Sequence, residues 1–517
     1  MLLSQYVVLA VVAFLVVYPL LLLVEASFQV SPRGAPASFG LDAWSTAFST
    51  PGIRSALWNT LLLIVVRQAI SFTIAVIVAW VIARTDLPGQ RSLEFLFLLA
   101  FFLPTIPVVE AWVLLLDPDY GFLNGLITAL PYVHEAPFNI YSFPGIVWVH
   151  LAHTAIAIKI VLLVPLFRAM DSSLEGMGRV LGSGPFGTLA RITVPIVLPG
   201  LVTVFMIGAI ASLHSFEIEA ILGPPFRFSI FSTEVFRLIH RDPPDYAAAT
   251  ALSSFVLLAV LPLILAQRWV TSRTGHATVG SNFRRNPIAL GRWRRPAFWA
   301  IMSLALLTTL VPIAVLLVFS FARKWGYYNI DDPWTVGNWM RVLTDRTFVA
   351  SLKNSIYLGL GTAIAGMIGF SIVGNIIVRS RFAWRSALDF LAWFPSLLPG
   401  IILSLGLLYC YLGSPAMRPV YGSIFGMVVA TFIGCLTIGV QVVKSNLMQI
   451  GAELEGAARV TGANRWQVYR FVIVPLTMPS VLLCGTISFA LAIRNVSNVV
   501  FLGSGTRDHC RCFNWIS

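Results

Sequence analysis

Charged side chains interrupt long apolar stretches in the first half of this sequence. Such groups are costly in an apolar environment, so they often form ion pairs or mark a transport pathway. Arg67 and Glu110 lie at similar depths in neighbouring stretches, and we expect a structural ion pair rather than a substrate contact. Glu217 and Glu219 precede the end of the fifth stretch. Two interpretations stay open for them: carboxylates that attract a cation along a pathway, or a solvated helix end.

Other polar residues in these stretches predict packing rather than catalysis. His150 and His153 are three residues apart, on one helix face, and packing is favoured over metal ligation. Lys159 is expected to extend its ammonium group to the inner surface. The sequence has no G-x-x-x-x-G-K-[ST] loop and no credible nucleophile–base pair. We therefore predict no enzyme, no bound cofactor and no metal site.

A polar segment occurs twice, 280 residues apart. In each copy a glutamate precedes an arginine by four residues, which places both on one helix face. A glycine suited to ending that helix follows, and an aromatic residue comes four positions later. Two copies in one register favour a functional surface over an ordinary amphipathic loop. The residues are Glu175, Arg179, Gly182 and Phe186 in the first copy, and Glu455, Arg459, Gly462 and Trp466 in the second.

The composition predicts that these segments are carried by membrane helices. The 517 residues are 57% hydrophobic and 11% charged, whereas soluble domains carry about 25% charged residues. Eleven stretches are long and apolar enough to span a bilayer as helices. They lie near 4–26, 56–82, 92–116, 142–167, 199–222, 247–269, 297–321, 353–378, 387–412, 421–443 and 480–502.

The distribution of basic residues predicts the orientation and argues against nucleic-acid binding. Seven arginines lie between Arg268 and Arg295, in one loop, and basic loops are typical of the cytoplasmic side. The N-terminus and both polar segments are then cytoplasmic. The loop that contains Arg323 and Arg341 is an exception, because this orientation places it outside.

The repeat extends over both halves of the chain. Asn59, Arg84 and Leu103-Pro104 recur 295 residues later, whereas positions from the fourth stretch onward recur after 280. Both copies start on the same side, so we predict two tandem, parallel helical bundles of about six transmembrane helices. The predicted domains are residues 1–270 and 297–517, joined by a basic cytoplasmic linker, 271–296. We expect the second bundle to lack the counterpart of its last helix, because the tail after Gly505 matches nothing at the expected position.

The second polar segment resembles the EAA loop of ABC importer permeases. Its residues Glu455-Gly456-Ala457-Ala458-Arg459, followed by Gly462-Ala463, carry that resemblance, and the first copy is a degraded version. The fused halves look like the iron(III)- and thiamine-type permeases. The resemblance implies a transmembrane permease subunit in a bacterial inner membrane, with iron(III) favoured as the cargo. It also implies three partners: a cytoplasmic ATPase homodimer that binds the ATP, an external solute-binding protein, and the lipid bilayer.

Two other functional classes remain as alternatives. A secondary transporter or channel would need no ATPase, but its coupling charges are expected in both halves rather than one. A membrane-embedded enzyme is disfavoured because no reactive cluster is present.

Overall fold

A computed structural model of the chain describes residues 2–30, 38–170, 182, 184–274, 287–326 and 330–503. The strands β1 (Gln29–Val30) and β2 (Ser38–Phe39) form one short antiparallel pair. The helices of the first half are α1 (Leu2–Ala26), α2 (Asp42–Ser49), α3 (Ile53–Arg84), α4 (Gln90–Phe102), α5 (Thr105–Leu116), α6 (Phe122–Thr128), α7 (Phe143–His150), α8 (Ala157–Arg168), α9 (Pro185–Thr188), α10 (Val194–Leu213), α11 (Glu217–Leu222), α12 (Phe231–His240) and α13 (Tyr246–Thr274). Those of the second half are α14 (Arg294–Phe319), α15 (Gly337–Thr344), α16 (Arg346–Arg379), α17 (Arg385–Trp393), α18 (Gly400–Gly413), α19 (Ile424–Gln449), α20 (Ala452–Val460), α21 (Arg465–Val468), α22 (Val474–Ile493) and α23 (Val496–Leu502).

Membrane-spanning helices dominate the part of the chain that the structure describes. Seven helices there are long and apolar enough to cross a bilayer, and three bent helix pairs bring the number to ten. A shorter apolar stretch in α13, Tyr246–Pro262, coincides with the remaining predicted segment. The prediction of an all-helical, multi-pass membrane protein is confirmed.

The third predicted span of each half is sharply bent instead of straight. The angle between α4 and α5 is 101°, and that between residues 385–396 and 400–413 is 109°. Leu103 and Leu398 adopt extended backbone angles immediately before Pro104 and Pro399. A proline disfavours the helical conformation of its preceding residue, so the Leu-Pro pair ends one helix and starts the next.

The internal repeat is visible in the helix boundaries. Helices α2 and α15 are related by 295 residues, and α10 and α22 by 280. The last of these additional first-half residues lies between α7 and α10, because Ser142 and Ser423 cap α7 and α19 at a spacing of 281. A π-helical turn, Leu151–Ala155, absorbs this residue, whereas α19 is continuous. Such turns arise where one residue is accommodated within a helix, often near functional sites.

The chain divides into two compact units that exchange segments relative to the sequence halves. The first-half unit comprises residues 51–234 and 258–342, and the second-half unit comprises 1–50, 235–257 and 343–517. Within the second-half unit, α1 packs against α17 and α18. Within the first-half unit, α14 packs in the same way against α4 and α5. Each bent helix pair is therefore covered by the first long helix of the other half.

Candidate functional site

The second polar segment is a helix–turn–helix whose turn is closed by backbone and side-chain caps. Helix α20 ends at Val460, Gly462 follows with a φ of +89°, and the amide of Ala463 donates to the carbonyl of Ala458 at 3.1 Å. This is a Schellman arrangement, which favours glycine because the left-handed conformation carries no Cβ penalty. Asn464 and Gln467 then cap α21 reciprocally, each side-chain oxygen accepting from the other amide at 2.8 Å.

The first polar segment shares part of this geometry. Gly182 has a φ of +84°, and the amide of Thr188 donates to the carbonyl of Gly184, as Val468 does to Asn464. The reciprocal cap is missing there, because glycines occupy positions 184 and 187. Several predicted residues lie outside the described set: all of Glu175 and Arg179, and the side chains of Phe186, Glu455, Arg459 and Trp466.

In each half, an arginine at the end of one spanning helix (α3 or α16) binds the C-terminal end of another (α8 or α19). The polar segment begins directly after that second helix. Arg84 is 6% exposed and donates from Nη1 to the carbonyl of Met170 at 3.0 Å. Arg379 donates from Nη2 to the carbonyls of Leu447 and Ile450, at 2.9 and 2.6 Å. Met170 and Ile450 are equivalent in the repeat. Helix C-termini leave carbonyls without partners, and a cation there also complements the helix dipole.

In each half an ion pair joins the first helix of the bent pair (α4 or α17) to the spanning helix that precedes the polar segment (α8 or α19). In the first half Arg168 of α8 binds Glu94 of α4 with both guanidinium nitrogens, one of them at 2.8 Å. In the second half Lys444 of α19 lies 2.7 Å from Asp389 of α17. The polar segments therefore start from a fixed platform of three helices. Sequence reasoning noted Arg84 and Arg379 only as matched positions, and it missed the two ion pairs.

A second polar site is buried within the first-half unit. His150 Nε2 lies 2.7 Å from Oε1 of Glu219, and Ser215 Oγ lies 2.7 Å from both carboxylate oxygens. Glu219 is 1% exposed, so it is not a solvated helix end. Arg67, itself 8% exposed, interacts electrostatically with Glu219, whereas no hydrogen bond or ion pair joins it to Glu110. The structure thus pairs Glu219 with His150 and does not form the expected Arg67–Glu110 pair.

The remaining members of the predicted set have separate positions. Glu217, the first residue of α11, is half-buried, and Glu110 is exposed. His153 lies in the π-helical turn, with Nε2 3.0 Å from the carbonyl of Leu103 at the bend between α4 and α5. The two histidines therefore contact different partners. Among the described residues, no group of three or more His, Cys, Asp or Glu side chains is placed to hold a metal ion.

Lys159, in α8, is fully enclosed. Its ammonium donates to Ser71 Oγ at 2.8 Å and to the carbonyl of Ala155 at 2.9 Å, and the side chain is 1% exposed. The expectation that it extends to the surface is wrong, because these acceptors satisfy the charge internally. Gly208 makes the space: a Cβ there would lie 2.7 Å from Lys159 Cε and 2.8 Å from the Gln68 amide nitrogen.

The second half replaces both charged groups by neutral ones. Thr431, the counterpart of His150, and Ser404 contact the buried Asn498, at 3.4 and 2.8 Å. Glycines 439 and 366 stand where the first half has Lys159 and Ser71. The ring of Phe370, fully buried, fills that space and lies 2.7 Å from where a Cβ of Gly366 would be. The charged site is therefore a property of one half only.

Part of the second half of the chain matches a family of transport proteins. Residues 363–508 match the family model described as the binding-protein-dependent transport system inner membrane component. Two proteins named as ferric transport system permeases, from Haemophilus influenzae and Actinobacillus pleuropneumoniae, are each 24% identical over 70% of this chain. The chain spans 57% and 52% of their respective lengths.

Other transport permeases also align with the chain. A protein of Sinorhizobium fredii named as an ABC transporter permease is 27% identical over 93% of this chain and 84% of its own length. The sulfate transport system permease of Escherichia coli is 25% identical over 45% of this chain and 81% of its own. A bacterial alginate ABC transporter crystal structure aligns with 53% of this chain and 96% of its own at a TM-score of 0.42 and 17% identity. The family-model match thus places residues 363–508 among the binding-protein-dependent transport permeases, and these sequence relatives are themselves named as permeases.

Proposed function

We propose that this chain is the transmembrane subunit of an ABC importer, powered by a separate ATPase. The observation that carries the proposal is the capped helix–turn–helix of residues 452–468, which recurs in part around Gly182. Two such polar segments, one per half of the sequence, would suit docking to the two subunits of an ATPase homodimer. The N-terminus and both segments are then cytoplasmic, and an external binding protein delivers the solute.

The platform beneath each polar segment supports a mechanism of alternating access. When the ATPase dimer closes, it moves the two docked polar segments. We call these the coupling segments: the first lies around Gly182 and the second comprises residues 452–468. Arg84 and Arg379 tie the start of each coupling segment to a long membrane helix. The ion pairs Glu94–Arg168 and Asp389–Lys444 connect α8 and α19 to the bent helix pairs. A displacement of the coupling segment is thereby passed to three helices in each half.

For the cargo we propose iron(III), with sulfate and molybdate as the other candidates among the relatives' names. Ferric permeases align with 70% of the chain, against 45% for the sulfate permease of E. coli. We propose Glu217 and Glu219 as pathway residues, although Glu219 already bonds His150 and Ser215. The variants Glu217→Ala and Glu219→Ala, measured in an uptake assay, test this role. Unchanged uptake in both variants would exclude it.

The coupling role is tested by co-purification with the ATPase. Replacing Trp466, the aromatic residue of the second coupling segment, by alanine should release the ATPase and abolish ATP-dependent uptake. The matched variant is Trp299→Ala, which removes a 63% exposed indole from α14. If Trp466→Ala keeps both association and uptake while the protein remains folded, the coupling assignment fails.

One observation favours a secondary transporter as the second candidate. The buried groups Arg67, His150, Lys159 and Glu219 are of the kind that ion-coupled transporters use. Uptake into proteoliposomes would then persist without ATP and follow an ion gradient. Uptake that requires both ATP and the ATPase subunit excludes this alternative.

A further inference from the structure

A cavity of about 480 Å³ opens beside the second coupling segment, within the second-half unit. It lies between the C-terminal ends of α16 and α19 and the first turn of α17. Arg379, Arg385 and Lys444 supply its positive charges, and Asp389 supplies one negative charge. Both α16 and α19 are membrane spans, so the cavity is at the boundary between bilayer and water.

The side chains that line the cavity carry three positive charges and one negative charge. Lys444 is paired with Asp389 at 2.7 Å, and Arg379 donates to the carbonyls of Leu447 and Ile450. Arg385 is exposed, and its guanidinium group makes no hydrogen bond or ion pair with the described residues. Ser386 adds a hydroxyl in the first turn of α17, where backbone N–H groups lack intrahelical partners. These donors suit the oxygens of a phosphate group.

The opposite wall of the cavity is apolar. Ile377, Val378 and Leu447 line it, together with Met448, which is 68% exposed. Trp384, next to Arg385, is 56% exposed, and exposed indoles favour the membrane interface. A free phosphate ion would make no favourable contact with this apolar wall. A phospholipid, by contrast, would place its headgroup on the cations and its acyl chain along the apolar side chains.

We propose that this cavity binds the headgroup of an anionic phospholipid. Basic pockets between membrane helices are typical sites for such lipids. The site is particular to the second half: Gln90, Val164 and Arg168 replace Arg385, Lys444 and Met448, and Arg168 is already bound to Glu94. Only the leaflet, the cytoplasmic one, rests on the proposed function. Lipid binding itself requires no ATPase and no transport.

Native mass spectrometry of the purified full chain tests the site with phosphatidylglycerol as the probe. Arg385→Gln removes the unpaired cation, and Arg381→Gln removes an exposed charge four residues away that does not line the cavity. We expect Arg385→Gln to retain the lipid about fivefold more weakly, equivalent to about 1 kcal/mol, and Arg385→Lys to restore most of it. Arg381→Gln should bind like the unmodified chain. Melting temperatures verify that the variants are folded.

Three results would overturn the proposal. Equal loss in Arg385→Gln and Arg381→Gln would mean that only overall charge matters. Equal retention of phosphatidylcholine and phosphatidylglycerol would remove the headgroup preference. Displacement of the lipid by millimolar inorganic phosphate would identify an ion site instead. A failure of ATP-dependent uptake in all variants would contradict the proposed function and leave the lipid measurement unaffected.

Discussion

At the scale of single residues, the buried pair of His150 and Glu219 controls the polar site of the first half. Its atoms are 2.7 Å apart and both side chains are at most 4% exposed. Removing one member of a buried pair leaves the other unsatisfied, which costs more than the pair's net contribution. The pair therefore constrains how α7 and α11 pack.

We expect Glu219→Gln to destabilise the protein by about 1–3 kcal/mol, because His150 and Ser215 lose their carboxylate partner. Thermal unfolding in detergent measures the change. Glu217→Gln is the matched control, since that side chain is only half-buried two residues away. Equal melting temperatures for the two variants would show that the buried pair is not required for stability.

At the scale of elements, glycine conformation sets the shape of the coupling segment. Gly462 has a φ of +89°, where an L-residue costs about 1–2 kcal/mol. Gly462→Ala should reopen the turn and reduce ATP-dependent uptake. Gly456→Ala, within α20 and with open space at its Cβ, should instead strengthen the helix and preserve uptake. If the two variants transport equally, the turn is not part of the coupling.

The arginine at the base of the coupling segment makes a separate prediction. Arg379→Gln removes charge-assisted hydrogen bonds to two carbonyls, each worth about 1.5–3 kcal/mol. We expect the assembled transporter to keep ATP hydrolysis but to lose roughly tenfold in uptake, because the motion no longer reaches α16. The exposed Arg381→Gln is the control. A parallel loss of hydrolysis and uptake would indicate a general structural role instead.

At the scale of the whole molecule, the exchange of long helices makes the halves interdependent. The first-half unit uses α14 and the second-half unit uses α1, each from the other half of the sequence. Residues 1–280 expressed alone should leave the apolar faces of α4 and α5 uncovered and should aggregate. Co-expression with residues 281–517 should restore a stable complex, detected by size-exclusion chromatography. Two fragments that are each stable alone would contradict the exchange.

The sequence by itself determined the class of protein and the register of the repeat. Apolar stretches of bilayer length predict helices, because lipid cannot satisfy backbone polar groups. The repeated Glu–Arg–Gly–aromatic spacing indicated the proposed coupling segments, and Gly462 predicted a helix end that the structure has. These features are local: they depend on hydropathy, turn chemistry and spacing along the chain.

Only the tertiary structure decided which distant groups meet. The sequence suggested Arg67 with Glu110, but the fold pairs Glu219 with His150, 69 positions apart in sequence. It suggested an exposed Lys159, but Gly208 and Ser71 on other helices enclose that side chain. Depth along a helix can be read from spacing, whereas the rotation of each helix and the choice of its neighbours are set by packing. The exchange of α1 and α14 is of the same kind, because chain order does not specify which bundle a helix covers.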